Sequence, residues 1–211
     1  ISFHVDAVQA LAKIPTENYL TDRVDFATFS SHKFHGVRGV GFVYIKSGKK
    51  ITPLLTGGGQ ERDYRSTTEN VAGIAATAKA LRLAMEKLDL FTSKTSQMKA
   101  VIRQALLDYP DIFVFSGEED FAPHILTFGI KGVRGEVIVH AFEDYDIFIS
   151  TTSACSSKAG KPAGTLIAMG VEKDKAQSAV RLSIDLENDM SQVEQFLTKL
   201  KLIYNQTRKV R

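Results

Sequence analysis

Apolar positions in the first seventy residues come in short runs broken by turn residues. Val24-Asp25-Phe26-Ala27-Thr28-Phe29 and Val40-Gly41-Phe42-Val43-Tyr44-Ile45 carry the β-branched and aromatic residues of strands, the second entered from Gly36 and Gly39. The opening Ile1-Ser2-Phe3-His4-Val5-Asp6 reads as a strand already under way, so residues upstream of Ile1 are expected. Between Asp6 and Lys13 the spacing of Ala7, Val8, Ala10, Leu11 and Ile14 predicts a short helix. Gly57-Gly58-Gly59-Gln60-Glu61 marks a loop.

The period then lengthens. Val71, Ile74, Ala75, Ala78, Leu81, Met85 and Leu88 recur at three- and four-residue steps, which predicts a long helix burying that face. A second helix is expected from about Ser93 to Leu107, before Pro110. Ile112–Phe115, His124–Phe128 and Asp146–Ile149 read as strands, and Gly135–Tyr145 as a helix between two of them. The end is an amphipathic helix, with Ser191 and Glu194 as its capping box and Val193, Phe196, Leu197, Leu200 and Ile203 as its buried stripe. Strands that first follow glycine-rich connections and then alternate with helices predict an α/β unit followed by a smaller α+β unit. The division is placed at residues 1–89 and 90–211.

Composition narrows the function. The 211 residues include 27 Lys plus Arg against 24 Asp plus Glu, without a long basic cluster, so no direct nucleic-acid partner is expected. The basic end, Arg208-Lys209-Val210-Arg211, reads as a solvated tail. No apolar stretch approaches the roughly 18 residues of a membrane span, and no secretory signal opens the chain. A single cysteine cannot form a disulfide within the chain, which fits a reducing, cytoplasmic setting. No cluster has metal-ligand spacing, so no metal is expected. His124 reads as a strand residue, and His35 and His140 have no partners that spacing would supply.

Chemistry concentrates in Ser30-Ser31-His32-Lys33-Phe34-His35-Gly36. Lysine forms Schiff bases with carbonyl compounds through its neutral amine, and Ser30 and His32 can donate hydrogen bonds to a phosphate. Taken alone, the segment reads as a polar turn at a strand end. His4-Val5-Asp6-Ala7-Val8-Gln9 adds a carboxylate at a strand end with an amide one turn later. Taken alone, Asp6 is an ordinary N-cap.

Together the two segments resemble the cofactor site of the fold-type I pyridoxal-phosphate enzymes, in the branch of the class V aminotransferases. That branch carries H-x-D-x-x-Q at a strand end and S-x-H-K-x-x-G some two dozen residues later. Here Gln9 and Lys33 stand 24 residues apart. The resemblance implies pyridoxal 5'-phosphate as cofactor. It implies Asp6 at the pyridine nitrogen, Gln9 at the ring oxygen, Ser30 and His32 at the phosphate, and Lys33 as the Schiff-base lysine. A glycine-rich loop and an R-S-G-T motif follow in the family. Here they are Gly57–Arg62 and Arg65-Ser66-Thr67-Thr68, with Thr67 in place of the glycine. Thr68 then inherits contact with the phosphate of a partner subunit, which implies a homodimer.

Cys155 lies in Ser153-Ala154-Cys155-Ser156-Ser157, within a run rich in small and polar residues. A lone cysteine is commonly a small buried apolar residue, whereas one in an exposed loop can ionise and react. The run resembles the active loop of NifS/IscS-type cysteine desulfurases, which implies Cys155 as the sulfur-accepting nucleophile beside Lys33. Val180-Arg181-Leu182-Ser183-Ile184 resembles the family's R-x-S-x-G strand, with Asp185 at the glycine position, and implies Arg181 at the substrate carboxylate.

The resemblance covers essentially all 211 residues and corresponds to the second half of a longer chain. It implies the C-terminal part of a PLP-binding large domain followed by a small domain. It implies conversion of L-cysteine to L-alanine, with a persulfide on Cys155 passed to a sulfur-acceptor protein for iron-sulfur cluster or tRNA thiolation pathways. A 211-residue piece would by itself be expected to be inactive and to hold the cofactor poorly. Another class V aminotransferase, a selenocysteine lyase and a non-enzymatic interaction unit remain open as alternatives.

Overall fold

A computed structural model describes residues 1–117, 119, 121–151 and 164–209. The chain forms two compact units, Ile1–Asp89 and Leu90–Arg211.

The first unit is built on a three-stranded sheet of order β1-β2-β3, comprising β1 (His4–Asp6), β2 (Phe26–Ser30) and β3 (Gly41–Ile45). β1 runs parallel to β2, and β3 antiparallel to it. Asp25 secures the entry to this sheet. Its carboxylate accepts the Phe3 N–H at 2.9 Å and pairs with Lys49 at 3.1 Å. Those two bonds hold its pKa below the usual carboxylate range, the Phe3 N–H contributing most.

The short helix expected after Asp6 is instead a chain of turns followed by a 3₁₀ turn at Thr16–Asn18. Helix-like bonds begin, from Leu11 N–H to Ala7 C=O at 3.2 Å and from Ile14 to Ala10 at 2.9 Å. They stop because Ala12 takes a left-handed φ of 59° and Pro15 disfavours helical backbone at the residue before it.

Helix α1 (Val71–Met85) follows, capped by Asn70 Oδ1, which accepts the Gly73 N–H at 3.0 Å. Of its predicted apolar face Leu81 packs on the core, while most of the rest stays exposed. Val71 is 71% exposed, Ile74 44% and Met85 37%, while Gly73 and Thr77 are buried and Ala80, Leu81 and Ala84 pack on the core of the unit. The reason is distance. A Cβ on Gly73 would stand 2.8 Å from Val40 Cγ2, so the helix comes this near only through small residues.

The second unit opens on α2 (Leu88–Leu107) and has an antiparallel sheet of order β4-β5-β7-β6. Its strands are β4 (Ile112–Val114), β5 (Ile125–Ile130), β6 (Ser150–Thr151) and β7 (Val180–Ser183). The helices α3 (Gly135–Glu143), α4 (Gly164–Ala168), α5 (Lys173–Gln177) and α6 (Met190–Lys209) complete it. Leu126, Phe128 and Ile130 alternate along β5 onto one face, and α2, α3 and α6 supply Ile102, Phe142 and Phe196 to the same core. Phe142 stacks on Phe196 at 5.0 Å, and Phe128 meets Phe196 edge-on at 6.2 Å.

The strand expected at Asp146–Ile149 is displaced to Ser150–Thr151. Asp146 takes a φ of 58° and Ile147 N–H reaches back to Phe142 C=O at 3.1 Å, which closes the end of α3 before a strand can begin. Among the described residues no helix is long and apolar enough to cross a membrane.

The cap of α6 also differs from expectation. Asp189 Oδ1 accepts the Gln192 N–H at 3.0 Å, and Gln192 Oε1 accepts the Asp189 N–H at 3.2 Å. This is a capping box two residues earlier than Ser191 and Glu194. Ser191 instead donates its hydroxyl to Asp189 Oδ1 at 2.6 Å. These bonds hold the Asp189 pKa below its ordinary value, the Ser191 hydroxyl contributing most. A lowered folded-state pKa gives stabilisation that is complete above the unfolded value, about 3.9, and is lost as pH falls through the folded one. Asp189→Ala should therefore lower Tm at pH 7 by about 2–4 °C. Asp189→Asn, which keeps a capping oxygen but does not titrate, should hold Tm near wild type at pH 7 and show a smaller drop below pH ~4. Thermal melts across that range check both.

Candidate functional site

Parallel pairing aligns the carboxyl ends of β1 and β2. The register sets Asp6 opposite Thr28, and the ladder is continued by Ala7 N–H donating to Thr28 C=O at 3.1 Å. The carboxyl ends of parallel strands are where the following turns can aim side chains at a ligand. Asp6 stands there exposed, its Oδ1 accepting the Val8 N–H at 3.1 Å. The capping role open to Asp6 and a ligand role are thus compatible, since a carboxylate has further acceptor sites. Gln9 is exposed in the turn that follows. His4 Nε2 lies 3.2 Å from Thr28 Oγ1 on the same strand pair.

β2 ends at Ser30 and passes directly into a 3₁₀ turn, Ser31–Phe34. Residues three apart share a side of such a turn. Ser31 and Phe34 are 0% and 1% exposed, so they face inward. His32 and Lys33 take the outward side, His32 exposed and Lys33 half-buried. His35 closes the turn in left-handed backbone, with φ 66°. Asp6, Gln9, Ser30, His32 and Lys33 thereby follow the carboxyl ends of two neighbouring parallel strands, at the same end of the sheet. Ser31 is the residue sequence reasoning passed over. Its signal was positional: a hydroxyl in register with Phe34 on a three-residue repeat.

The glycine-rich segment leads to Thr68, which is exposed and outside any regular element. Glu61, Arg62 and Asp63 follow one another in left-handed backbone at φ 51°, 55° and 67°. That conformation costs an L-residue roughly 1–2 kcal/mol each. Ser66 N–H closes the loop onto Leu55 C=O at 3.0 Å.

In the second unit, Arg181 sits in β7 between Thr127 of β5 and Ser150 of β6. Its Nε is buried and makes no hydrogen bond among the described residues. A buried guanidinium N–H without an acceptor is costly, and an incoming carboxylate is an acceptor of the right charge and shape. Asp185, which replaces a glycine in the motif, has its Oδ1 accepting the Leu186 N–H at 2.7 Å, within the turn before α6. Cys155 lies outside the described residues. His124 is buried against the Phe91 ring at 5.4 Å, and His140 Nδ1 lies 2.7 Å from Glu143 Oε2. Among the described residues no group of His, Cys, Asp and Glu is arranged to hold a metal ion.

Residues 1–196 match the family described as aminotransferase class-V. A NifS/IcsS protein homolog of Lactobacillus delbrueckii subsp. bulgaricus is 48% identical over 211 residues, spanning 100% of this chain and 55% of the relative. Cysteine desulfurase IscS of Clostridium botulinum is 36% identical over 215 residues, spanning 100% of this chain and 53% of the relative. A solved NifS-like protein superimposes with a TM-score of 0.82 at 35% identity, over 97% of this chain and 52% of its own. A NifS-like protein from Rickettsia africae gives 0.82 at 29% identity, over 97% and 54%. The chain spans about half the length of the curated relatives it matches. Its α/β fold is that of the NifS-like, fold-type I enzymes. With a lysine turn and a carboxylate at the carboxyl ends of paired parallel strands, and a family match over residues 1–196, the chain belongs to the class V aminotransferase family.

Proposed function

We propose that the protein of this chain is a cytoplasmic, pyridoxal-phosphate-dependent cysteine desulfurase that works as a homodimer and passes sulfur to an acceptor protein. The observation that carries the reading is the convergence of Asp6 and the Lys33 turn at one end of the β1–β2 pair. The donor set there fits the cofactor: a carboxylate for a ring nitrogen, an amine for a carbonyl carbon, and a hydroxyl and an imidazole for phosphate oxygens. The buried Arg181 Nε, lacking an acceptor among the described residues, supports an anionic substrate.

Pyridoxal phosphate, when bound, supplies an electron sink for charge developing at the substrate Cα. Lys33 would tether it and carry a proton to and from substrate carbon. Asp6 would accept a hydrogen bond from the ring nitrogen and hold the proton there. Gln9 would donate to the ring oxygen, and Ser30 and His32 to the phosphate. Thr68 would do so for the partner subunit's site. Arg181 binds the carboxylate of L-cysteine through its two-pronged fork. The Cys155 thiolate then attacks the substrate sulfur. An S–S bond forms, the C–S bond breaks, and the carbon takes a proton. L-cysteine and the Cys155 thiol thus become L-alanine and a persulfide, with no outside oxidant.

Lys33→Ala and Cys155→Ser separate tethering from sulfur chemistry. After loading and borohydride reduction, peptide mass spectrometry should find the phosphopyridoxyl label on Lys33, absent in Lys33→Ala and normal in Cys155→Ser. Cys155→Ser should nonetheless form no persulfide, and alanine production should fall by about 100-fold or more, because a hydroxyl is a far weaker nucleophile. Sulfur release at the wild-type rate would instead favour an aminotransferase or lyase.

Arg181→Ala should weaken L-cysteine binding by about 2–3 kcal/mol while leaving the Lys33 label unchanged. A titration followed by cofactor absorbance checks this, and unaltered affinity would return Arg181 to a structural role.

The role of Thr68 requires two subunits. The mass in solution should be that of a dimer, and mixing equal amounts of Thr68→Ala and Lys33→Ala subunits should recover up to about a quarter of the wild-type activity, half in each heterodimer. That pairing brings one intact lysine and one intact threonine to the same site. An active monomer would remove Thr68 from the site.

A further inference from the structure

The turn that presents Lys33 is tied down by a residue the proposed reaction does not use. Ser31 is 0% exposed, and all of its polar groups are bonded. Its N–H donates to Val40 C=O at 3.0 Å, and its C=O accepts the Gly36 N–H at 3.0 Å. Its Oγ is hydrogen-bonded to Thr77 Oγ1 of α1 at 2.9 Å. Thr77, 6% exposed, also bonds the Gly73 C=O at 2.7 Å. One proton on each hydroxyl satisfies both bonds when Thr77 donates to the carbonyl and Ser31 donates to Thr77. Two glycines keep the space for this pair. A Cβ on Gly36 would lie 2.0 Å from Ser31 Oγ, and one on Gly73 2.8 Å from Val40 Cγ2.

We propose that the buried Ser31–Thr77 hydroxyl pair positions Lys33, by fixing the rotation of the Ser31–Phe34 turn against α1. Phe34, the other inward residue, packs without a directional bond. The hydroxyl contact is directional, and stranding either buried hydroxyl is costly. A turn held at Ser31 therefore points its outward residues, His32 and Lys33, one way. Ser31 and Thr77 face inward, so both are positioning residues. The inference rests on Lys33 being the cofactor lysine.

Three variants test it in the full chain. Thr77→Val removes one hydroxyl at nearly constant shape, Thr77→Ser keeps it, and Ser31→Ala with Thr77→Val removes both and strands neither. The readouts are Tm, amide hydrogen exchange at Ser31 and Gly36, and the rate of phosphopyridoxyl labelling of Lys33 at limiting pyridoxal phosphate. Thr77→Val should lower Tm, exchange about tenfold faster at those amides and label about tenfold more slowly. Thr77→Ser should stay near wild type in all three. The double variant should regain Tm, because no buried hydroxyl is left without a partner, yet keep slow labelling and fast exchange. Wild-type labelling in the double variant would reduce the pair to packing and overturn the proposal. If the wild-type protein takes its label elsewhere than Lys33, the cofactor reading fails, and the exchange data then decide the pair alone. Faster exchange in Thr77→Val and in the double variant supports the fixed turn, and wild-type protection in either overturns it.

Discussion

Parallel pairing of β1 with β2 brings two segments some twenty residues apart to a common end, with Val5 beside Ala27 and Asp6 beside Thr28. Slipping this register by one residue would turn every side chain of β1 to the opposite face. Val5 and Ala7 would leave the core around Ala27 and Phe29, and Asp6 would enter it. The burial of a few apolar side chains therefore also decides where the acidic group stands. Asp25 reinforces the same register from the other end by binding the backbone of Phe3.

Close approach of backbone segments is the second constraint. α1 meets the lysine turn through Thr77 and comes close to Val40 through Gly73, not through the long apolar residues its periodicity favours. Large residues would hold the helix away and leave the Ser31 hydroxyl without Thr77. The apolar positions Val71, Ile74 and Met85 are left at the surface of this chain as a consequence.

The second unit combines a dry core with a charged strand. Phe128, Phe142 and Phe196 form a continuous aromatic contact, while Arg181 sits in β7 next to Val180, which is fully buried. Alternation along the strand permits both. Val180 points into the core, and Arg181 points to the other face, where its Nε is enclosed. The same strand thus serves a dry core on one face and carries a partly buried arginine on the other.

The residues alone determined the local chemistry and most of the elements: the two strands flanking the lysine turn, the long helices, the terminal amphipathic helix, and the motif that ties Asp6, Gln9 and Lys33 to one family. These are legible because they depend on spacing and on residue type. Four things were settled only by tertiary structure. The segment after Asp6 became turns once Ala12 went left-handed, and the strand after α3 was shortened by the closing turn at Asp146. The cap of α6 passed to Asp189 and Gln192 because both partners reach each other's N–H there. The buried face of α1 was chosen by the distance to the lysine turn, where only a glycine and a small hydroxyl fit. Periodicity states which residues can be buried together, but which face is buried depends on the neighbour it must fit.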